Sequence, residues 1–330
     1  MSLRLTSLSD RLARGAPPLR YGAEMDVLSD AVAAMRAGRP HSSRTVNSGP
    51  WGYRFAPDKG AGFHVVVQGT AWLIPPDDDA APVELRAGDV VLLAHGTGHG
   101  LAGHPGNPLV DVLPLPDGTW PTEPHRKPAA PDETLLLCGS YQLSRTRAHP
   151  LLTELPPFVH LSARAGAHTR LRAAVDLLGA ELADPQPGSH ALVPALLDTL
   201  LLLLLRTWWL SECPDRTTGW SAALGDPAVL AALRAIHADP ARSWTVEELG
   251  AEGGLSRAAF ARRFTTLVGR PPLAYLTWWR MTTAGRLLRT DDAPLRTVAR
   301  RAGYTSEFAF AKAFRREYGM PPGQYRRRAG

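Results

Sequence analysis

The chain has 330 residues, a hydrophobic fraction of 44% and a formal net charge of +6, a composition typical of a globular protein with about two domains. Its two cysteines, Cys138 and Cys213, are too few for a disulfide framework, which excludes the small disulfide-rich secreted proteins and indicates a reducing compartment. The N-terminal residues lack the apolar run of a signal peptide, so we expect a cytoplasmic protein.

Basic residues are concentrated towards the C-terminus. Residues 224–330 contain 18 Lys and Arg against 9 Asp and Glu, whereas residues 1–223 contain 19 against 22. A basic part joined to a slightly acidic part indicates that the C-terminal region binds a polyanion.

The N-terminal half is predicted to be rich in β-strands. Residues 1–24 predict a flexible extension that is rich in Arg, Pro and Ser. Short β-rich runs follow between about Ser48 and Leu115, punctuated by Gly, Pro and Asp, and a late run covers Leu135 to Leu143. This pattern predicts an antiparallel sandwich or barrel, which we place at residues 25–160.

Two helices are predicted next, over Ala163–Leu182 and Ser189–Leu210, from the helical spacing of their Leu and Ala residues. The second helix resembles a membrane span in its Leu content. Asp198, Arg206 or both fall inside every 18-residue window over the Leu run, and a charge at mid-bilayer costs about 2.5–3.5 kcal/mol. We therefore expect no membrane span but a helix buried in a core or a dimer interface.

Residues 161–212 thus form a predicted helical dimerisation region. Pro, Asp, Thr and Gly then break the helical pattern, which predicts a linker over residues 213–225. From residue 226 to residue 330 the pattern is helical in short units.

The first of these units begins at Trp244. Thr245 and Glu248 have the spacing of a capping box, and the short helix that they start ends at Gly253-Gly254, where a positive φ is cheap. Ser256 is then predicted to cap a second helix, in which Phe260 and Phe264 lie at i and i+4 and face inward. A short helix, a glycine turn and a capped helix are typical of a helix-turn-helix.

The second unit repeats this pattern about fifty residues later. A short helix from Leu295 ends near Gly303, and Ser306 is predicted to cap a helix with Phe310 and Phe314 facing inward. The two units align with one extra turn residue in the second. The long helix predicted between them, beginning at Pro272, would hold the units at a fixed separation.

The segment from about Asp226 to Arg328 closely resembles the AraC/XylS-type DNA-binding domain. The resemblance is carried by Trp244-Thr-Val-Glu-Glu-Leu, Leu255-Ser-Arg-Ala-Ala-Phe-Ala-Arg-Arg-Phe, Gly269-Arg-Pro-Pro-Leu-Ala-Tyr-Leu, Ala302-Gly-Tyr-Thr-Ser-Glu, Phe310-Ala-Lys-Ala-Phe-Arg-Arg and Gly319-Met-Pro-Pro-Gly-Gln-Tyr-Arg. It implies a bacterial transcription regulator that places both recognition helices in successive major grooves on one face of double-stranded DNA.

By alignment, the outer faces of the two recognition helices provide the candidate DNA contacts, together with the capping residues Ser256 and Ser306. Base-edge candidates are Arg257, Ala258, Ala261 and Arg262 in the first unit and Glu307, Phe308, Ala311 and Lys312 in the second. The phosphate-contact candidates are Arg263, Arg315 and Arg316. An apolar side chain such as Phe308 or Ala258 can touch a thymine methyl group.

Residues from Met25 to about Leu210 resemble the cupin-type sensor domain of one AraC subgroup. The resemblance is carried by Gly49-Pro-Trp-Gly-Tyr-Arg-Phe, Phe63-His-Val-Val-Val-Gln-Gly-Thr-Ala-Trp-Leu, Leu85-Arg-Ala-Gly-Asp-Val-Val-Leu-Leu-Ala-His-Gly-Thr-Gly-His, Cys138-Gly-Ser-Tyr and His149-Pro-Leu-Leu-Thr-Glu-Leu-Pro. It implies an α+β chain, in which a cupin-like antiparallel β-barrel with dimerisation helices precedes an all-α domain with two helix-turn-helix units.

Cupin enzymes bind a metal through a His-x-His and a Glu in a first motif and a His in a second. Here His64 stands alone in the first motif, and His99 matches the second, with His95 four residues before it. A catalytic metal is therefore not expected. His64, His95, His99 and Cys138 could still form a reduced site for zinc or another transition metal such as copper, or they could line a ligand pocket or only be hydrogen-bonded.

The two cysteines allow a further interpretation. Cys138 and Cys213 could act as a redox pair, although cysteines so far apart in sequence are more often small buried apolar residues.

Together these features predict a DNA-binding transcription factor, not an enzyme. Its cupin-like domain would sense a small molecule, a metal or an oxidant, and its two units would bind an asymmetric operator half-site. The expected partners are double-stranded DNA, a second copy of the chain and RNA polymerase. Two alternatives stay open: a cupin-type metal-dependent enzyme fused to a DNA-binding domain, against which the incomplete metal cluster argues, and a constitutive DNA binder with a vestigial sensor.

Overall fold

The computed structural model describes most of the chain. The described residues are 26–35, 40–58, 60–77, 79–115, 120, 130–141, 150–162, 168–212 and 219–329. The flexible extension predicted over residues 1–24 lies outside them, as does Cys213, one half of the predicted redox pair.

The N-terminal part is built from short strands in two five-stranded sheets. One sheet has the order β1-β9-β3-β6-β10 and the other β5-β4-β7-β2-β8. Neighbours pair antiparallel, except that β2 and β8 run parallel. In chain order the strands are β1 (His41–Asn47), β2 (Gly52–Phe55), β3 (Ala61–Gln68), β4 (Thr70–Ile74), β5 (Val83–Arg86), β6 (Val90–Leu93), β7 (His99–Ala102), β8 (Val110–Val112), β9 (Thr134–Tyr141) and β10 (Val159–Leu161).

Strand β3 shows why the first sheet has two different faces. Its side chains alternate: Phe63 and Val65 belong to a core shared with helices, whereas Val66 belongs to a second core that the two sheets share. His64 points to the same side as Val66 and lines a cavity there. This alternation therefore places the polar side chain of His64 inside the sheet domain.

The remainder of the described chain is helical, which confirms the predicted α+β class. In chain order the helices are α1 (Val27–Met35), α2 (Pro150–Thr153), α3 (Thr169–Ala183), α4 (Ser189–Glu212), α5 (Gly219–Gly225), α6 (Pro227–Ala238), α7 (Val246–Glu252), α8 (Arg257–Val268), α9 (Pro272–Thr290), α10 (Leu295–Arg301), α11 (Glu307–Tyr318) and α12 (Pro322–Ala329). The two helices expected after the sheets are α3 and α4.

Helix α4 is the apolar helix of the sequence. The segment Ser189–Trp209 is long and apolar enough to cross a membrane by length and composition alone. It packs against α3, and Leu197, Leu200 and Leu204 are buried in the core beneath the first sheet. One face of the helix is therefore buried in the core, although only 33% of its apolar window is buried within the described chain.

The segment predicted as a linker over residues 213–225 differs from that expectation. Residues 213–218 are not described, but residues 219–225 form α5, and Trp220 within it is fully buried. The Trp220 amide donates to the Glu154 carboxylate, at 2.8 Å from Oε2 and 2.9 Å from Oε1. A large aromatic residue gives this stretch apolar surface to bury, and it therefore folds as a helix against α8.

The two helix-turn-helix units have separate cores. One continuous cluster of buried side chains extends from the first sheet through α4 to Phe260 and Phe264 of α8. A second cluster contains Phe310 and Phe314 of α11. The first unit is therefore packed together with the N-terminal part, whereas the second unit has its own core.

A polar contact also joins the N-terminal helix α1 to the first unit. His237 of α6 is buried, with its Nδ1 3.3 Å from Asp30 Oδ2 and its Nε2 2.8 Å from the Tyr275 hydroxyl. Its ring stacks on Trp279 at 3.7 Å. Burial lowers the pKa of His237, so the ring is neutral and ties α1 to both α6 and α9.

Candidate functional site

The first helix-turn-helix unit has the local structure that its sequence predicts. The Thr245 hydroxyl accepts from the Glu248 amide at 3.1 Å, and the Glu248 carboxylate accepts from the Thr245 amide at 2.8 Å, which is a complete capping box. Helix α7 ends at Glu252, and Gly254 has a φ of +68°. Ser256 is the N-cap residue of α8, but its side chain makes no capping hydrogen bond.

The second unit is capped more fully at its recognition helix. The Ser306 hydroxyl accepts from the Ala309 amide at 3.3 Å, which satisfies one free donor at the start of α11. Gly303 closes the preceding turn with a φ of +75°. The inward positions of both recognition helices, Phe260 and Phe264 in α8 and Phe310 and Phe314 in α11, are all fully buried.

Because these phenylalanines anchor the inner faces, the predicted DNA contacts lie on the outer faces. Most of these residues are exposed, and Ala261 and Ala311 are half-buried. The exposed set is Ser256, Arg257, Ala258, Arg262, Arg263, Ser306, Glu307, Phe308, Lys312, Arg315 and Arg316.

The arginines of α8 are not equivalent. Arg263 forms an ion pair with the buried carboxylate of Asp226, and Asp226 also caps α6 by accepting from the Val229 amide at 3.0 Å. Arg257 pairs with Glu247 at 3.1 Å, between two exposed side chains. Exposed pairs contribute little, so Arg257 is available to another acceptor, whereas Arg263 connects the recognition helix to α6.

Three cations on the recognition helices have no such partner. Among the described residues, no carboxylate forms an ion pair with Arg262, Lys312 or Arg315. These side chains can turn to a base edge or a phosphate without breaking a bond within the protein.

An exposed aromatic residue distinguishes the second recognition helix. Phe308 is 81% exposed, the highest value among the large exposed hydrophobic residues described. It lies in the first turn of α11, next to the capped N-terminus, where the aligned position in α8 holds the small residue Ala258. The two helices therefore present different apolar surfaces as well as different charges.

A cavity of about 320 Å³ lies in the sheet domain, at the small end of the ~300–1,000 Å³ range of ligand pockets. Its walls are largely apolar and aromatic, with Tyr53, Phe55 and Trp120 on one side. Phe55 stacks on the His99 ring at 4.9 Å and meets Trp120 edge-on at 5.6 Å. Among the described lining residues there is no Lys or Arg.

Three of the four side chains predicted as a ligand or metal site meet at the polar end of this cavity. His64 Nε2 lies 2.7 Å from His99 Nε2, and His64 Nδ1 lies 3.0 Å from Cys138 Sγ. Strand pairing brings His64 and Cys138 together, because His64 of β3 is directly opposite Cys138 of β9.

Burial keeps this cluster uncharged. Desolvation, followed by the nearby His99, holds the pKa of His64 well below its ordinary value. Burial also lowers the pKa of His99 to about 4 and raises the pKa of the Cys138 thiol to about 12. At neutral pH both rings are neutral and the thiol keeps its proton.

His95 is not part of the cluster. Its Nε2 bonds the Leu155 carbonyl at 2.8 Å, and it does not line the cavity. His64 uses its two ring nitrogens on opposite partners, so the three remaining side chains do not converge on one point. In the described part of the chain there is no group of three or more His, Cys, Asp or Glu able to hold a metal ion.

Some functional features escape sequence reasoning. The aromatic wall of the cavity comes from Tyr53 and Phe55 of β2, and its sequence signal is the alternation of these two residues with Trp51, which stands just before the strand. Asp226 lies 37 residues from Arg263, and no local pattern predicts their ion pair.

Both parts of the chain match known protein families. A cupin family model matches residues 26–209, and a helix-turn-helix domain model matches residues 249–328. A putative AraC-like transcription regulator of Streptomyces lividans is 34% identical over 307 residues, which cover 92% of this chain and 98% of that protein.

Two further proteins illustrate the range of the similarity. The RCS-specific HTH-type transcriptional activator RclR of Escherichia coli is 30% identical over 268 residues, covering 81% of this chain and 84% of the activator. The solved DNA-binding domain of AdpA, in complex with a target DNA, is 38% identical and covers 31% of this chain and 90% of that domain, with a TM-score of 0.29.

Proposed function

Since this chain belongs to the AraC-like transcription regulators with an N-terminal cupin domain, we propose that it binds an asymmetric operator half-site in response to a small molecule that carries no negative charge. The observation that carries the proposal is the pair of recognition helices, whose inner faces are fixed by buried phenylalanines and whose outer faces are mostly exposed. The relatives are named as transcription regulators and not as enzymes, which supports a regulatory role.

The half-site is proposed to be asymmetric because the two helices present different chemistry. Helix α8 offers Arg262 beside small alanines, whereas α11 offers Lys312 together with Phe308 and Glu307. Arginine pairs with guanine edges, and an apolar ring contacts the thymine methyl group. Symmetry in the complete operator would then come from pairing two copies of the chain.

Replacing Arg262 or Lys312 with alanine is expected to reduce discrimination between operator and random DNA by about 1–3 kcal/mol, because each change removes a base-edge contact. The operator is first identified by mapping bound DNA across a genome. Binding to operator and to random duplexes is then measured over a range of salt concentrations.

Arg315→Ala is the matched control. A phosphate contact carries no sequence information, so this variant should bind both duplexes more weakly. The slope of the logarithm of its binding constant against the logarithm of the salt concentration should be smaller by about one. If Arg262→Ala or Lys312→Ala keeps the full wild-type preference for the operator, the base-contact role of that residue is wrong.

The dimer is proposed to form on the helices that follow the sheets. Leu177 of α3 is 60% exposed and Leu192 of α4 is 46% exposed, whereas another face of each helix is buried in the core. Apolar residues at these positions suit a helical interface between two copies. In such a dimer four helix-turn-helix units would face DNA.

The effector is proposed to carry no negative charge because the described cavity lining contains no Lys or Arg to balance one, whereas it does contain the carboxylate of Asp58. His64 and His99 are held neutral, and the described lining, which also includes His41, contains no Lys or Arg. Burying an unpaired carboxylate in such a place is costly, whereas apolar surface gains about 25 cal/mol for each Å² removed from water.

A thermal-shift comparison of 2-naphthol with 2-naphthoate tests this electrostatic argument. We expect the neutral ligand to stabilise the protein, by about 2.7 kcal/mol at a hundred times its Kd, and the anion to have no effect at the same concentration. Stabilisation by the anion alone would show that the cavity contains a positively charged group that binds it, contrary to the proposal.

A further inference from the structure

A thiol and an imidazole lie together in the cavity of the sheet domain, outside the two helix-turn-helix units. Cys138 Sγ is 3.0 Å from His64 Nδ1. Cys138 is partly exposed, and it lines the cavity. The thiol is therefore open to a molecule in the cavity while it is shielded from bulk solvent.

The hydrogen bonds around this thiol have one consistent direction. A carbonyl only accepts, so His99 Nδ1–H donates to the Thr97 carbonyl at 3.0 Å. The other nitrogen of neutral His99 then accepts from His64 Nε2–H at 2.7 Å. His64 Nδ1 is left to accept the proton of the Cys138 thiol. The thiol hydrogen therefore points at the imidazole of His64, which is hydrogen-bonded to a second imidazole, that of His99.

Hydroxyl groups flank the thiol. Ser43 of β1 is directly opposite Cys138 in the strand register, and Ser140 lies two residues further on the same face of β9. Both line the cavity. Hydroxyl donors beside a nucleophile can stabilise negative charge that develops on a bound carbonyl oxygen.

From this geometry we propose that Cys138 is a covalent modification site for apolar α,β-unsaturated carbonyl compounds that enter the cavity. This inference rests on the proposed role of the cavity as the effector site. The sulfur adds to the β-carbon, so that a C–S bond forms and the C=C π bond breaks. His64 takes the thiol proton as the C–S bond forms, and the proton is returned to the α-carbon of the enolate. The reaction needs no oxidant or reductant.

Burial makes the thiol selective. It raises the pKa of Cys138 to about 12, so the resting thiol is protonated and unreactive towards dilute hydrophilic reagents. The nucleophilicity of a thiolate rises with the pKa of its thiol. A molecule that is held in the cavity while His64 removes the proton therefore meets a strong nucleophile that other reagents do not.

The test uses the full-length Cys213→Ser variant, because the chain has two cysteines and this variant leaves one thiol. Benzylideneacetone, an apolar enone, is the probe, and iodoacetate is the hydrophilic comparison. Intact-protein mass spectrometry follows both reactions in the folded protein and in denaturant. We expect one enone adduct per folded chain and almost no carboxymethylation, whereas both reagents modify the unfolded chain.

Two further measurements distinguish a thiol that reacts with an enone bound in the cavity from a thiol that reacts without prior binding. Benzylacetone, which lacks the reactive double bond, should block adduct formation by occupying the cavity. His64→Gln should slow the reaction by about 100-fold in the folded state, the typical contribution of a general base, and leave the rate in denaturant unchanged. If His64→Gln does not fold, the benzylacetone competition alone decides.

The proposal is overturned if the folded chain reacts with iodoacetate as readily as with the enone, or if benzylacetone gives no protection. Operator binding by the adduct is measured separately. If the adduct forms as expected but operator affinity is unchanged, the covalent site stands, and the proposed role of the cavity in regulation fails.

Discussion

Replacing Phe310 with alanine is expected to lower the free energy of unfolding of the second helix-turn-helix unit by about 3–5 kcal/mol. Phe310 is fully buried and packs edge-on against Tyr304 and near Phe314. Because the second unit has its own core, the loss should stay local. Hydrogen exchange should accelerate in α10–α12 and remain slow in α8.

Phe308→Ala is the matched control two residues earlier on the same helix. Its ring is 81% exposed, so its removal should change stability by less than about 0.5 kcal/mol. We expect it instead to weaken the preference for thymine at one operator position. A Phe310→Ala variant with unchanged exchange in α11 would contradict the assignment of this residue to the core of the second unit.

Gly96→Ala should disrupt the cavity. Gly96 has a φ of +56°, and a β-carbon there would overlap the backbone carbonyl oxygen of Asp58 and lie 2.8 Å from that of Gly60. The left-handed conformation costs a residue with a β-carbon about 1–2 kcal/mol, and the backbone overlap adds about 1–3 kcal/mol. The turn that leads into β7 and His99 must shift, so ligand stabilisation should be lost as well.

Gly49→Ala isolates the conformational part of this effect. Gly49 has a similar φ of +62°, and nothing lies within 4 Å of a β-carbon built there. We expect only the loss of about 1–2 kcal/mol, with ligand binding unchanged. Denaturant unfolding and the naphthol thermal shift are measured on both variants, and equal losses would show that the Gly96 turn relaxes freely.

The helix-turn-helix units are predictable from sequence because their signals are local. The Thr245–Glu248 capping box and the i, i+4 phenylalanine pairs lie within one or two helical turns, and the structure confirms them. Ser256 shows the limit of this reasoning. The residue type and position fit a cap, yet its hydroxyl makes no capping bond.

The sheet domain is less predictable because its contacts are distant in sequence. Strand β1, with the sequence His-Ser-Ser-Arg-Thr-Val-Asn, is too polar to stand out, although it pairs along its whole length with β9. Strand register brings Cys138 to His64 over a separation of 74 residues, and the packing of the two sheets brings in His99, which is 35 residues from His64. His95 has an equally suitable residue type, but the fold turns it to the Leu155 carbonyl.

Helix α9 contributes side chains to both helical cores. Tyr275 and Trp279 belong to the core of the first unit, whereas Met281 and Leu288 belong to that of the second. An uninterrupted helix of 19 residues thus fixes the distance and angle between the two DNA-contacting surfaces. One inserted base pair between the two subsites turns the second subsite by about a tenth of a turn around the duplex. The protein would then discriminate between DNA targets by the spacing of the two subsites as strictly as by their base sequence.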